Sequence, residues 1–190
     1  KLTPWSNNPV QDTPGEVLFI RDDLTGEYWT ATPLPKRNNT SYLIRHGHGY
    51  SIFQNLQYGI EAQQTMFVPI DDAIKLIKLS VKNHSQSPRK LSLFFYVEWV
   101  LGVNRENSAQ FIVTEYDEAN NGMLAYNRYN DEFSELAAFM ASSIPIDSYT
   151  SQRNEFLGRN GTLDEPAAMR AEHLSNRAEV NHDPCSAIQV

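Results

Sequence analysis

The chain of 190 residues is 41% apolar, sets 16 Lys and Arg against 23 Asp and Glu for a formal charge of −7, and has one cysteine. That apolar content suffices for one sizeable core and a single domain of the larger β type. The acidic balance, without a Lys/Arg cluster, excludes an electrostatic grip on nucleic-acid phosphates or on anionic lipid. Cys185 stands alone, so no intrachain disulfide forms, which fits a cytoplasmic setting. No apolar run reaches the roughly 18 to 20 residues of a membrane-spanning helix, and the opening Lys1-Leu2-Thr3-Pro4-Trp5 lacks a signal-peptide core, so no direct membrane insertion is expected. Without an initiator Met, and with residues 187–190 reading as an unterminated strand, the sequence is expected to be a piece of a longer polypeptide.

Short apolar–polar alternations recur between turn signals, the pattern of antiparallel strands with one buried face. Residues 17–21, 22–26 and 27–30 read as strand, turn, strand, with Gly26 free to take a positive φ. Pro33 and Pro35 then interrupt pairing, and 36–39 continue as a polar loop. Residues 42–45 resume β character, the run His46-Gly47-His48-Gly49 marks a bend or bulge, and 50–56 and 58–68 follow as longer strands. Residues 73–82 form an amphipathic strand. The stretch 91–100, apolar on both faces, is expected to lie centrally between packed layers. Residues 111–116 and 123–126 pair around Asn120-Asn121-Gly122, while 136–141 suit either helix or strand. Beyond Ser142 the sequence turns polar and irregular, which predicts a long loop that is functional or covers a neighbour.

His46 and His48, two apart, would share one face of a strand as a metal pair requires, but no third ligand completes a shell and no metal is expected. His84, His173 and His182 read as solvated loop residues. Carboxylate pairs at Asp22-Asp23, Asp71-Asp72, Asp117-Glu118 and Asp131-Glu132 fall at predicted turns or strand ends, where solubility and local hydrogen bonding explain them better than glycosidase chemistry. Trp5, Tyr28, Trp29, Tyr50, Tyr58, Trp99, Tyr126 and Tyr129 supply ring faces of the kind that stack on sugars, although Tyr96 and Trp99 belong to the core strand.

Five phrases carry a resemblance when taken together in their order: Thr3-Pro4-Trp5-Ser6-Asn7-Asn8-Pro9, Arg45-His46-Gly47-His48-Gly49-Tyr50, Phe94-Phe95-Tyr96-Val97-Glu98-Trp99-Val100-Leu101-Gly102, Glu155-Phe156-Leu157-Gly158-Arg159-Asn160-Gly161-Thr162, and Asp183-Pro184-Cys185-Ser186-Ala187-Ile188-Gln189. They resemble the N-terminal sandwich domain of glycoside hydrolase family 94, the inverting disaccharide and β-glucan phosphorylases. Within it they are most like the phosphorylase-like module of cyclic β-1,2-glucan synthases.

The resemblance implies an all-β fold: a large antiparallel β-sandwich of the super-sandwich, galactose mutarotase-like kind, truncated at its C-terminal end. It further implies an (α/α)6 barrel in the same polypeptide that carries the catalytic acid, so this chain holds no catalytic residue and is inactive alone. Inorganic phosphate would be the co-substrate, with no cofactor, and β-glucan or an oligosaccharide the ligand. A homodimer, and a soluble place within an inner-membrane parent, also follow from the likeness. Carried over as substrate contacts are Arg45, His46, Gly47, Gly49 and Tyr50, with Arg159, Asn160 and Gly161. A bulge shaped by Gly47 and Gly49, and a buried lock made by Arg159 and Asn160, remain the structural alternatives. At the level of the domain, the alternatives are a stand-alone carbohydrate-binding module and a purely structural, dimerising sandwich.

Overall fold

The computed structural model describes residues 1–5, 10, 14–180 and 183–190. Residues 6–9 of the first quoted phrase, and His182, lie outside them. The fold is all-β, and every pairing between its strands is antiparallel.

The first hairpin forms as its turn chemistry predicts. β1 (Glu16–Asp22) pairs with β2 (Tyr28–Thr30), and Gly26 takes φ +75° in the connecting turn. A four-stranded meander follows: β3 (Tyr42–Gly47), β4 (Tyr50–Gln57), β5 (Ile60–Phe67) and β6 (Leu76–Asn83), in the order β3-β4-β5-β6. β7 (Leu91–Glu98) returns to β1, and the one-turn helix α1 (Arg105–Ser108) follows it. A three-stranded sheet is then built from β8 (Ile112–Asp117), β9 (Gly122–Asn127) and β10 (Ala137–Ala141), with β9 in the middle. Finally β11 (Ser148–Gln152) and β12 (Pro184–Gln189) complete a five-stranded sheet of order β11-β12-β7-β1-β2.

β7 occupies the centre of that sheet because both of its faces are apolar. On the outer face Phe94 and Tyr96, both fully buried, join Val17, Phe19, Cys185 and Ala187. The short helix α2 (Arg153–Leu157) and the segment after it cover this face with Phe156, Leu157, Met169 and Leu174. The inner face is divided between the two smaller sheets. Leu91 and Leu93 meet Ile20, Trp29, Ile60 and Ala62 under the meander, whereas Phe95, Val97 and Trp99 meet Ile112, Met123, Ala125 and Met140 under the three-stranded sheet. Burying a side chain such as Phe94 contributes about 1.5–3 kcal/mol, so one strand anchors three separate apolar layers.

Four expectations are corrected. His46-Gly47-His48-Gly49 is not a bulge: Gly47 pairs with Tyr50, leaving His48-Gly49 as a two-residue hairpin turn in which Gly49 takes φ +83°. His48 therefore sits in the turn and not beside His46 on the strand. The stretch beyond Ser142 is no structureless loop, since β11, α2 and the cover of the outer face arise from it. Sequence alternation misses β11 because its buried residues are hydroxylic. Ser148 donates to the Gln189 side chain at 2.8 Å and Thr150 to Glu155 at 2.6 Å, so the buried polar groups are satisfied without apolar residues.

The fourth correction concerns Asp22: it ends β1 and makes a local hydrogen bond as expected, but it is fully buried, so solubility does not explain it. Its carboxylate pairs with the Arg89 guanidinium and accepts the Leu24 amide at 2.9 Å. Burial alone would raise its pKa; the Leu24 amide and Arg89 outweigh that and hold the carboxyl below the ordinary aspartate range. A group whose folded pKa is depressed stabilises the fold above its unfolded value, about 3.9, and loses that contribution as pH falls through the folded one. The difference in unfolding free energy between the native chain and Asp22→Asn should therefore shrink as pH is lowered from 7 to below about 4. Urea unfolding across that range checks this, and a constant difference contradicts it.

Candidate functional site

The residues singled out by sequence fall into two groups, which the fold does not bring together. The first lies at the tip of the β3–β4 hairpin, in the sheet that shields part of the inner face. The second follows α2, on the cover of the outer face.

In the hairpin, strand alternation and register set Arg45, Gly47 and Tyr50 on one face and His46 on the other. Tyr50 is 46% exposed, and its ring lies across Gly47, where an added Cβ would stand 2.2 Å from the ring carbons. Glycine is needed here for that close approach. Arg45 donates to the Gln54 side chain at 3.2 Å, and Gln54 in turn donates to Glu61 at 2.8 Å. His84 completes this surface row by bonding Glu61 at 2.7 Å, which holds the glutamate below its ordinary pKa. On the opposite face His46 Nδ1 lies 2.9 Å from the Ser51 hydroxyl, and its ring meets Phe53 edge-on. Among the described residues no group of three or more potential metal ligands occurs.

The second group is set by the way α2 ends. Gly158 takes φ +92°, its amide bonds Asn154 O at 2.9 Å, and the Gly161 amide bonds Gly158 O at 3.0 Å. Asn160 stands at φ +60°, a conformation asparagine tolerates better than most residues. Arg159 and Asn160 are exposed, and neither side chain hydrogen-bonds to a described residue, so they do not form a buried lock. The loop is held by its glycines and by Phe156 and Leu157 beneath it. Its root is clamped electrostatically: Arg153 reaches Glu98 at 3.1 Å and Asp183 at 3.5 Å, while Arg105 reaches Glu98 at 2.8 Å and also pairs with Asp183. Tyr96 donates to the same Glu98 at 2.9 Å. Sequence reasoning missed this four-charge clamp because its members are far apart in the chain.

Clefts open elsewhere among the described residues, and none of the eight candidate residues lines the two described next. One, of about 690 Å³, runs between Glu27, Tyr28, Lys36, Asn38 and Tyr58, with the Lys36 ammonium 4.7 Å from the Tyr28 ring centroid. The other, of about 420 Å³, is lined by Val103, Asn104, Asn107, Asn127 and the rings of Phe111 and Tyr129. Three carboxyls among the described residues have clearly shifted pKa values: Asp22, Glu61 and Asp117. All three are held low, which keeps them ionised. A proton-donating acid working near neutral pH needs the opposite shift.

This all-β sandwich architecture is that of a supersandwich domain, and the chain belongs to the glycosyl hydrolase 94 supersandwich domain family, whose model matches residues 1–190. It is 37% identical over 190 residues to the cyclic beta-(1,2)-glucan synthase NdvB of Rhizobium meliloti (strain 1021), covering 99% of this chain and 7% of that protein. It is 32% identical over 196 residues to N,N'-diacetylchitobiose phosphorylase of Vibrio furnissii, covering 99% of this chain and 24% of the relative. Solabiose phosphorylase of Paenibacillus borealis is 26% identical over 176 residues, covering 90% of this chain and 23% of the relative. The chain thus spans a quarter or less of the length of these relatives.

The two glycines that shape the candidate groups differ in what a methyl would meet. At Gly161 an added Cβ would lie 1.9 Å from the backbone oxygen of Leu157, which cannot swing aside. At Gly47 it would meet only the movable Tyr50 ring. Gly161→Ala should lower stability by about 2–3 kcal/mol and Gly47→Ala by less than about 1 kcal/mol, with Tyr50 displaced. Denaturant unfolding of both variants tests this; equal losses, or the reverse order, would contradict the packing described.

Proposed function

We propose that this chain is the accessory, substrate-shaping sandwich domain of a glycoside phosphorylase-like enzyme acting on β-1,2-glucan. The parent would hold the domain in the cytoplasm beside an (α/α)6 barrel that carries the catalytic acid. The observation that carries the reading is the 37% identity, along 99% of this chain, to a protein named for cyclic β-(1,2)-glucan synthesis. The family match over residues 1–190 and the phosphorylases among the other relatives support the phosphorolytic class.

In the proposed reaction an oxygen of inorganic phosphate attacks the anomeric carbon from the side opposite the leaving sugar. The bond from that carbon to the glycosidic oxygen breaks, and the barrel's acid protonates the departing oxygen. Configuration inverts and a sugar 1-phosphate is released. This domain supplies surfaces to that chemistry. The exposed Tyr50 ring offers a stacking face, and Arg45, with the exposed Arg159 and Asn160 side chains, offers hydrogen bonds to hydroxyls or phosphate. Both sets project from backbone held rigid by strand pairing or by the Glu98–Asp183 clamp, so they would meet a ligand preorganised.

Two measurements test the reading together. In the full-length parent, Arg159→Ala and Tyr50→Ala should each lower kcat/KM for phosphorolysis of β-1,2-gluco-oligosaccharides by about tenfold or more, the loss of one hydrogen-bonding or stacking contact of about 1.4 kcal/mol. The chain of 190 residues alone should form no glucose 1-phosphate. Undiminished turnover in both variants, or steady turnover by this chain alone, would refute the proposal.

A further inference from the structure

The cleft lined by Val103, Asn107, Asn127 and the stacked rings of Phe111 and Tyr129 has a floor, an aromatic platform and a polar rim. The floor is Asn127, 7% exposed, whose amide nitrogen donates to Leu101 O at 2.8 Å while its oxygen accepts the Tyr129 N–H at 3.2 Å. That pair of bonds sets where the chain leaves β9 and so where Tyr129 stands. The Tyr129 ring then stacks on Phe111 with centroids 4.1 Å apart and planes 10° from parallel. The residue is 71% exposed, so one face of its ring packs on Phe111 while the other turns an apolar surface to water.

The rim adds hydrogen-bonding groups that the fold does not use. Asp131 and Glu132 are exposed, and neither carboxylate has a hydrogen bond or ion pair to a described residue; the Asn107 side-chain amide is likewise uncommitted. Among the described residues no Lys or Arg lines the cleft. Two carboxylates without a cation disfavour phosphate, phosphosugars and acidic saccharides, while they accept readily from hydroxyl donors. The volume, about 420 Å³, is in the range of a small-ligand site, and a pyranose has the matching form: an apolar ring face edged with hydroxyls.

We infer that this cleft is a saccharide-binding subsite for a neutral pyranose of one or two units, with Tyr129 as the stacking platform, Asp131, Glu132 and Asn107 as hydroxyl partners, and Asn127 as the positioning residue. None of its lining residues belongs to the hairpin tip or the α2 loop. The choice of a glucan as probe rests on the function proposed above, whereas the cleft's geometry does not.

The test is a titration of this chain with sophorose, the β-1,2-linked glucose disaccharide, followed by backbone and aromatic NMR shifts. The expected result is a saturable perturbation centred on Asn107, Phe111, Tyr129 and Glu132. Tyr129→Ala should weaken binding by about tenfold and Tyr129→Phe by less than about twofold, since the ring and not its hydroxyl carries the contact. The exposure of Tyr129 lets both variants fold, and their unperturbed core resonances verify it. No perturbation in the cleft at saturating sugar, or an equal loss in Tyr129→Phe and Tyr129→Ala, would overturn the inference. Shifts confined to residues 45–50 and 159–161 would also overturn it while favouring the function proposed above. Shifts confined to the cleft would uphold it even if Arg159→Ala and Tyr50→Ala left the parent's turnover intact.

Discussion

Two-sided burial of β7 is the constraint on which the rest of this domain depends. A strand with Phe94 and Tyr96 on one face and Leu93, Phe95 and Val97 on the other cannot lie against water on either side. It therefore takes β1 and β12 as neighbours and calls for an apolar layer above and below. The outer layer is the α2 segment; the inner layer is shared by the meander and the three-stranded sheet. Each candidate group is thus held through β7, one on either side of the same sheet.

Polar interactions decide where those layers lock. Arg21, 7% exposed, lies over the Phe94 ring at 4.8 Å and donates to Ala171 O at 2.6 Å, tying one end of the outer cover to β1. The other end is fixed by Arg105 and Arg153 against Glu98 and Asp183, which joins β7, α2 and the approach to β12. Charges so enclosed are favourable only where every partner is present, because a lone buried charge costs several kcal/mol. The arrangement specifies one seating of the cover, and hence one placement of the loop bearing Arg159. At the opposite edge Asp22 and Arg89 do the same for β1 and the segment that enters β7.

Much of the scaffold was legible in the sequence where turn chemistry and alternation agree. Gly26 marked the first hairpin, Asn120-Asn121-Gly122 the β8–β9 turn, and the apolar run through residues 91–100 the central strand. Legibility failed where polar residues are buried in mutual satisfaction. Ser148, Thr150 and Ser151 read as loop yet form β11, and Asp22 reads as a turn residue yet is enclosed with Arg89. The tip of the β3–β4 hairpin was half visible: two glycines announced a break, but only the register shows that Gly49 turns the chain while Gly47 seats the Tyr50 ring. The clamp at Glu98 and the cleft at Tyr129 depend on contacts between distant segments, for which no local pattern exists.

Hydrogen exchange of the backbone amides in the intact chain tests the dominance of β7 most directly. Amides of β7 that bond to β1 and β12 should exchange slowest, through global unfolding, with the meander and the three-stranded sheet opening at lower free energy. Meander amides that outlast those of β7, or β7 amides that exchange by local opening while the small sheets stay protected, would contradict this account.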